Sequence, residues 1–232
     1  MSLHQSTVVE AALRFLDSEG LDQLTMRRLG AALNVHGGAL YRHFPNKETL
    51  LDAVADKIVE DMGAPLPEVP WPDQVQLLAE RLRAALLRHR DGARVVAGTF
   101  APGANTIIGS DLTIQVLCRA GFPPAQAGWV TFSLFYYVLG HAIEEQAQLR
   151  LPTDDDWRDR TERLDVQVSP QYEVALDSLS GTDPGERFAY GLQIFVTGLR
   201  HIQKPPAAEA DTSGTGTSGT EPLESPRQEQ GR

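Results

Sequence analysis

Apolar residues recur at three- and four-residue steps through most of this chain, and no stretch alternates with period two, so the expected class is all-α. Val8, Val9, Ala12, Phe15 and Leu16 form a first stripe, with Ser6 or Thr7 as N-cap and Gly20 as the stop. Thr25 can cap a second, short helix in which Leu29, Ala32 and Leu33 share one face. Asn34 then suits a left-handed turn. A third helix is predicted over Gly38–Phe44, with Leu40 and Phe44 inward and Tyr41, Arg42 and His43 towards solvent. Pro45 and Asn46 end it, and Lys47–Met62 follows with Leu50, Leu51, Val54, Ile58 and Val59 apolar. The prolines at 65, 67, 70 and 72 make a linker that no helix can cross. Beyond it come an amphipathic helix over Asp73–His89, a short apolar segment Ala93–Phe100, and helices over Ile107–Ala120, Ala125–Leu149, Ser169–Leu179 and Pro184–His201. The acidic stretch Leu151–Val168 reads as a loop, and Lys204–Arg232 is too poor in large apolar residues to repay its ordering entropy.

The pair of short helices between Leu24 and Leu51 has the form of a helix-turn-helix, whose second helix enters a DNA major groove. Charge strengthens this reading. Residues 25–47 hold Arg27, Arg28, Arg42 and Lys47 and no acidic side chain, so this window is +4 in a chain of −10, leaving −14 elsewhere. A positive island in an acidic protein is a footprint for phosphate, although helical hairpins with accidental charge also exist. Lys47 at a helix start suits phosphate, and Arg27 suits a bidentate guanine contact. Tyr41 and His43 can donate to phosphate, His36 can reach a base edge or phosphate, and Ala39 can touch a thymine methyl. Gly37 and Gly38 leave few side chains for direct readout, so DNA shape is expected to contribute. Thr25, Arg28 and Arg42 complete the candidate surface.

Composition removes other classes. No run of 18 apolar residues is present, and the start lacks a basic segment followed by an apolar core, so neither a membrane span nor secretion is expected. Cys118 is the single cysteine, which excludes an intrachain disulfide and a cysteine zinc cage and fits the cytoplasm. No Gly-rich phosphate loop, Gly-x-Ser-x-Gly elbow or His-Glu-x-x-His occurs. The rival reading is a metal-binding helical-bundle enzyme using His141 with Glu144 and Glu145 at i, i+3 and i+4. No cofactor and no metal are expected.

The runs LTMRRLGAALNV and ALYRHFPNKETLL resemble the DNA-binding domain of the TetR family of one-component repressors. Leu40, Tyr41, His43, Phe44, Lys47, Leu50 and Leu51 carry the likeness, which spans roughly residues 6–60. ALLRHRDGARVVAGT (85–99) and LGHAIEEQ (139–146) extend it to the tetracycline-repressor branch. The resemblance implies DNA-binding residues 1–47, a ligand-binding and dimerisation part 48–203 with 48–62 as connecting helix, and a tail 204–232. It also implies double-stranded operator DNA as partner, a small-molecule inducer, and a homodimer closed by a four-helix bundle of the last two long helices. Gly140, Gly191 and Gly198 would allow close approach there, or would pack within one subunit.

The branch holds magnesium-tetracycline through a histidine two positions before Gly-Thr, and here that position is Val96, with Phe100 in place of an arginine after Thr99. Valine cannot ligate a metal. The expectation is therefore a more apolar, metal-free pocket formed by Val96, Thr99, Phe100, Val116, Trp129, Phe132 and Tyr136, with Tyr137 or Glu144 as polar fixers. The aromatic stripe would serve equally as core filling.

Overall fold

The computed structural model describes residues 3–99, 103–150 and 166–203. The described residues form helices and turns and no strand. The order is α1 (Gln5–Glu19), α2 (Met26–Ala32), α3 (Gly37–Tyr41), α4 (Lys47–Ile58), α5 (Trp71–Leu87), α6 (Gly92–Ala97), α7 (Ala104–Arg119), α8 (Pro124–Gln148), α9 (Pro170–Gly181) and α10 (Pro184–Gln203).

Boundaries follow the local chemistry, with corrections. His4 rather than Ser6 or Thr7 precedes α1, and no side chain caps it. Gly20 (φ 84°) ends α1, and Asn34 (φ 53°) turns the chain after α2, both in backbone regions that few side-chain-bearing residues tolerate. The third helix is shorter than the expected Gly38–Phe44, because Arg42–Phe44 leave the helix before Pro45. The fourth stops at Ile58 instead of Met62, and Glu60–Gly63 continue as one tight 3-10 turn. Pro72 falls in the first turn of α5, where its missing N–H costs nothing, so that helix starts earlier than Asp73. The acidic loop lies mostly outside the described residues, as do Phe100 and the tail from Lys204.

Burial makes α1–α4 a small core of their own, around Val8, Leu16, Leu24, Leu29, Leu40 and Leu50, each at most 1% exposed. Each such side chain stabilises the fold by about 1.5–3 kcal/mol relative to exposure. That core runs without a gap, through Val54, Ile58 and Met62, into the packing of α5, α7 and α8 around Leu78, Leu86, Leu117 and Val138. Helix α10 closes the far side with Phe188, Leu192 and Val196. Helix α4 thus belongs to both halves. Between α5 and α6 the chain turns at Asp91, in the left-handed conformation (φ 62°). A Cβ on the next residue, Gly92, would stand 2.4 Å from the Leu86 carbonyl oxygen, so the corner admits only glycine there.

Candidate DNA-reading surface and ligand cavity

The helical pair of the reading surface is built by caps. Thr25 Oγ1 accepts the Arg28 N–H at 3.2 Å and starts α2. The Val35 N–H donates to the Gly30 carbonyl at 2.9 Å and closes the turn before α3. Asn46 Oδ1 accepts the Thr49 N–H at 2.8 Å, which sets Lys47 at the first position of α4 beside that helix's free N–H groups. On the outer face Arg27, His36, Gly38, Tyr41 and Arg42 are exposed, while Ala39, His43 and Lys47 are half-buried. Gly37 opens α3, and a Cβ on Gly38 would meet no atom within 4 Å, so a large partner can approach the backbone there. Gln5 Nε2 donates to the His43 carbonyl at 3.1 Å and ties α1 to the end of the pair. Arg28 departs from the expected surface. Its Nη2 lies 3.1 Å from Glu19, its Nη1 donates to the Gln23 carbonyl at 3.2 Å, and its guanidinium stacks 5.2 Å above the Phe15 ring. Those donors are occupied inside the chain.

A cavity of about 520 Å³ opens between α4, α6, α7 and α8. Its apolar walls are Ala55, Val59, Ile107, Ile114, Phe132 and Phe135, and a recess of about 60 Å³ continues inward between Leu78, Leu82 and Leu134. Val96, Thr99 and Phe132, three of the residues singled out in the sequence, border it. The others do not. Val116 is buried in the core at 1% exposure, Trp129 and Tyr136 stand on the outer face of α8 at 71% and 64%, and Glu144 is exposed. Tyr137 stacks on Phe188 at 5.4 Å and donates its hydroxyl to the Phe188 carbonyl at 2.6 Å. The helical phase explains this: Phe135 lies nearest the buried face of α8 formed by Leu134 and Val138, Phe132 follows at the rim with 57% exposure, and Tyr136 and Trp129 are turned further towards solvent.

Asp52, Ala55 and Asp56 of α4 and Val59 at its end, with Thr106, Ser110 and Asp111 of α7, were not singled out in the sequence as cavity residues. The available signal was the set Thr106, Ser110 and Thr113, small hydroxyls at four- and three-residue steps along an otherwise apolar helix. Asp56 also joins the two helices. Its Oδ1 accepts the Thr106 N–H at 3.0 Å, and its Oδ2 accepts Asn105 Nδ2 at 3.1 Å, capping the start of α7 from α4. A second junction lies at the α5–α6 corner. Arg94 pairs with Asp22 at 2.9 Å and with Asp91 at 3.0 Å, and Asp17 accepts the Arg90 N–H at 3.0 Å. Burial pushes the Asp91 carboxyl up, yet the Leu21 N–H, Arg94 and Arg150 hold it below the usual carboxylate range.

No three His, Cys, Asp or Glu side chains gather in a metal-holding set among the described residues. The rival constellation is split: Glu144 faces solvent, and Glu145 is engaged by Arg83 at 2.7 Å. His141 Nδ1 is buried with no hydrogen-bond partner, and burial holds its pKa below the ordinary value. Gly191 packs within the subunit, since its Cβ would stand 2.5 Å from the Tyr137 hydroxyl, while Gly140 and Gly198 face open space.

Residues 8–54 match the family described as bacterial regulatory proteins, tetR family, and residues 64–202 match the tetracyclin repressor-like C-terminal domain. The chain is 36% identical over 201 residues to the class A tetracycline repressor protein from transposon 1721 of Escherichia coli, covering 85% of this chain and 90% of that protein. Among solved structures it resembles BioQ with its double-stranded DNA operator (TM-score 0.65, 34% identity, 85% of this chain and 98% of that one). It also resembles a single-residue variant of TetR from Acinetobacter baumannii AYE in complex with minocycline (TM-score 0.69, 30% identity, 88% of this chain and all of that one). A DNA-facing helical pair, a cavity walled by the helix behind it, and family matches over both halves lead to one conclusion: the chain belongs to the TetR family of ligand-responsive DNA-binding repressors.

Proposed function

We propose that two copies of this chain grip a palindromic operator and leave it when a small, largely apolar molecule enters the cavity between α4 and α7. The observation that carries this reading is the placement of Asp52, Ala55 and Val59 in the cavity wall. A ligand there touches α4 directly, and α4 begins at Lys47, immediately behind the reading pair. Ligand and operator are then linked through the tilt of one helix, and the shift is bounded by the ligand's differential affinity for the two tilts.

Residues 1–47 read DNA, and 48–203 bind ligand and dimerise, with 48–62 as the connecting helix. Arg27 reads a base. Tyr41, Arg42, His43 and Lys47 hold phosphate, and the bare start of α3 at Gly37 and Gly38 lets the backbone follow groove shape. Thr25 supports the surface as a cap, and Ala39 and His36 make short-range contacts. The exposed stripes of α8 (Trp129, Tyr136) and α10 (Tyr190, Ile194, Ile202) support pairing of two chains, since patches of this kind on a water-facing surface mark interaction sites. The protein acts in the cytoplasm, where its operator lies.

Selection of the purified chain against random duplex DNA at fixed salt tests this reading. Two half-sites related by a dyad are expected. No enrichment above non-specific binding would overturn it, as would full operator affinity in the presence of a saturating cavity ligand.

A further inference from the structure

We infer that the cavity selects a cationic, donor-bearing guest: an ammonium carried on an apolar, ring-sized body. The inference rests on reading the cavity as the ligand site, and it follows from counting donors and acceptors. Every hydroxyl on the described wall spends its hydrogen inside the protein. Thr99 donates to the Val96 carbonyl at 2.8 Å, Ser110 to Thr106 at 2.8 Å, Thr113 to Gly109 at 2.9 Å and Thr131 to Ala127 at 2.8 Å. Thr106 Oγ1 donates to Asp56 Oδ1 at 3.3 Å. What these groups still offer is lone pairs.

The remaining polar side chains of the wall are carboxylates. Asp56 is committed to the start of α7. Asp111 accepts only from Gln115 Nε2, at 2.6 Å, and Asp52 has neither a hydrogen bond nor an ion pair among the described residues. No Lys, Arg, His, Asn, Gln, Tyr or Trp side chain stands on the described wall of cavity or recess. Against the described wall a guest carboxylate, phosphate or carbonyl would therefore meet lone pairs alone, and each acceptor buried without a donor costs about 1–3 kcal/mol. An ammonium meets the reverse situation. Asp52 is half-buried and Asp111 is exposed, so the charge can sit at the mouth and keep part of its hydration while the apolar body reaches Phe135 and the recess.

The test uses three probes of one ring size, titrated into the full chain by calorimetry at pH 7.5 without DNA: (anthracen-9-ylmethyl)ammonium, 9-anthracenemethanol and anthracene-9-carboxylate. The cation is expected to bind more tightly than the carboxylate by about tenfold or more, equivalent to ~1.4 kcal/mol. D111N and D52N should each shrink that ratio while leaving the alcohol unchanged. A carboxylate that binds as well as the cation would overturn the inference. I114W, which fills the cavity, separates the two failures: it should weaken all three probes. Probes that bind I114W as they bind the parent chain, or that bind neither, would overturn the cavity reading itself.

Discussion

Asp91 Oδ2 accepts the backbone N–H of Leu21 at 2.8 Å, joining two residues 70 positions apart in sequence. Asp91 is only 3% exposed and lies on the corner between α5 and α6; Leu21 starts the 3-10 turn after α1. The same carboxylate also meets Arg94 and Arg150. One side chain therefore fastens the back of the DNA-reading part to the floor of the ligand part. D91A leaves one N–H and two guanidinium groups short of a partner. It is expected to lower stability by about 2–4 kcal/mol, measured by urea unfolding. D91N should cost less, because asparagine tolerates φ > 0 and can still accept from Leu21. Equal losses in the two variants would show that the bond to Leu21 contributes little.

Arg27 and Arg28 are neighbours with different duties. Arg27 is exposed, whereas Arg28 is held by Glu19, Gln23 and Phe15. R27A should cost about 1–3 kcal/mol of operator binding and relax one base position. R28A should change unfolding by ~1 kcal/mol or less and leave base preference alone, as expected of a half-exposed ion pair. Measuring both on a set of single-base operator variants checks the division, and a uniform loss for R27A across sequences would contradict it.

Lys47 joins its charge to the start of α4. K47A is expected to weaken all DNA sequences alike and to reduce the slope of log affinity against log salt by about one. An unchanged slope would remove Lys47 from the phosphate contacts.

Gln146 is a buried amide that serves three backbone groups. Its Oε1 accepts the Ala93 N–H at 3.2 Å, and its Nε2 donates to the carbonyls of Leu86 at 3.0 Å and His89 at 2.8 Å. Q146L keeps much of the volume and strands these groups, so a loss of about 2–4 kcal/mol is expected in urea unfolding. A loss under ~1 kcal/mol would mean that water replaces the amide.

Burial sets the acid response of His141, partly offset by the attraction of Glu145, whose Oε2 lies 3.8 Å from Nδ1, while Arg83 and Arg187 oppose protonation. A folded pKa below the unfolded value means that the folded state resists taking up the proton. Stability is therefore full above about pH 6.5 and falls as pH drops below it. Between pH 7.5 and 5.5 the parent chain should lose more stability than H141Q, which cannot charge. Equal losses would place the acid response elsewhere.

Particular elements show how far the sequence carried. Thr25, Asn34 and Gly20 act as the cap and turns that local chemistry predicts, because such signals act over four or five residues of one chain. The positive window 25–47 was equally visible, since charge is additive along a sequence. The partners of Arg28 were not legible, because Glu19, Gln23 and Phe15 come from the preceding helix and turn, and only packing brings them there.

The sequence by itself determined the helical class and the helix-turn-helix, both properties of spacing and residue type. The tertiary structure alone decided which aromatics line a cavity. Phe132 and Phe135 do so, whereas Trp129 and Tyr136 do not, because the choice depends on how α8 is rotated against α4 and α7. The same packing brought Asp52, Asp56 and Val59 to that wall and Asp91 to Leu21. These are contacts between residues far apart in sequence, so no local pattern encodes them, and they appear only when the buried faces of all the helices are satisfied at once.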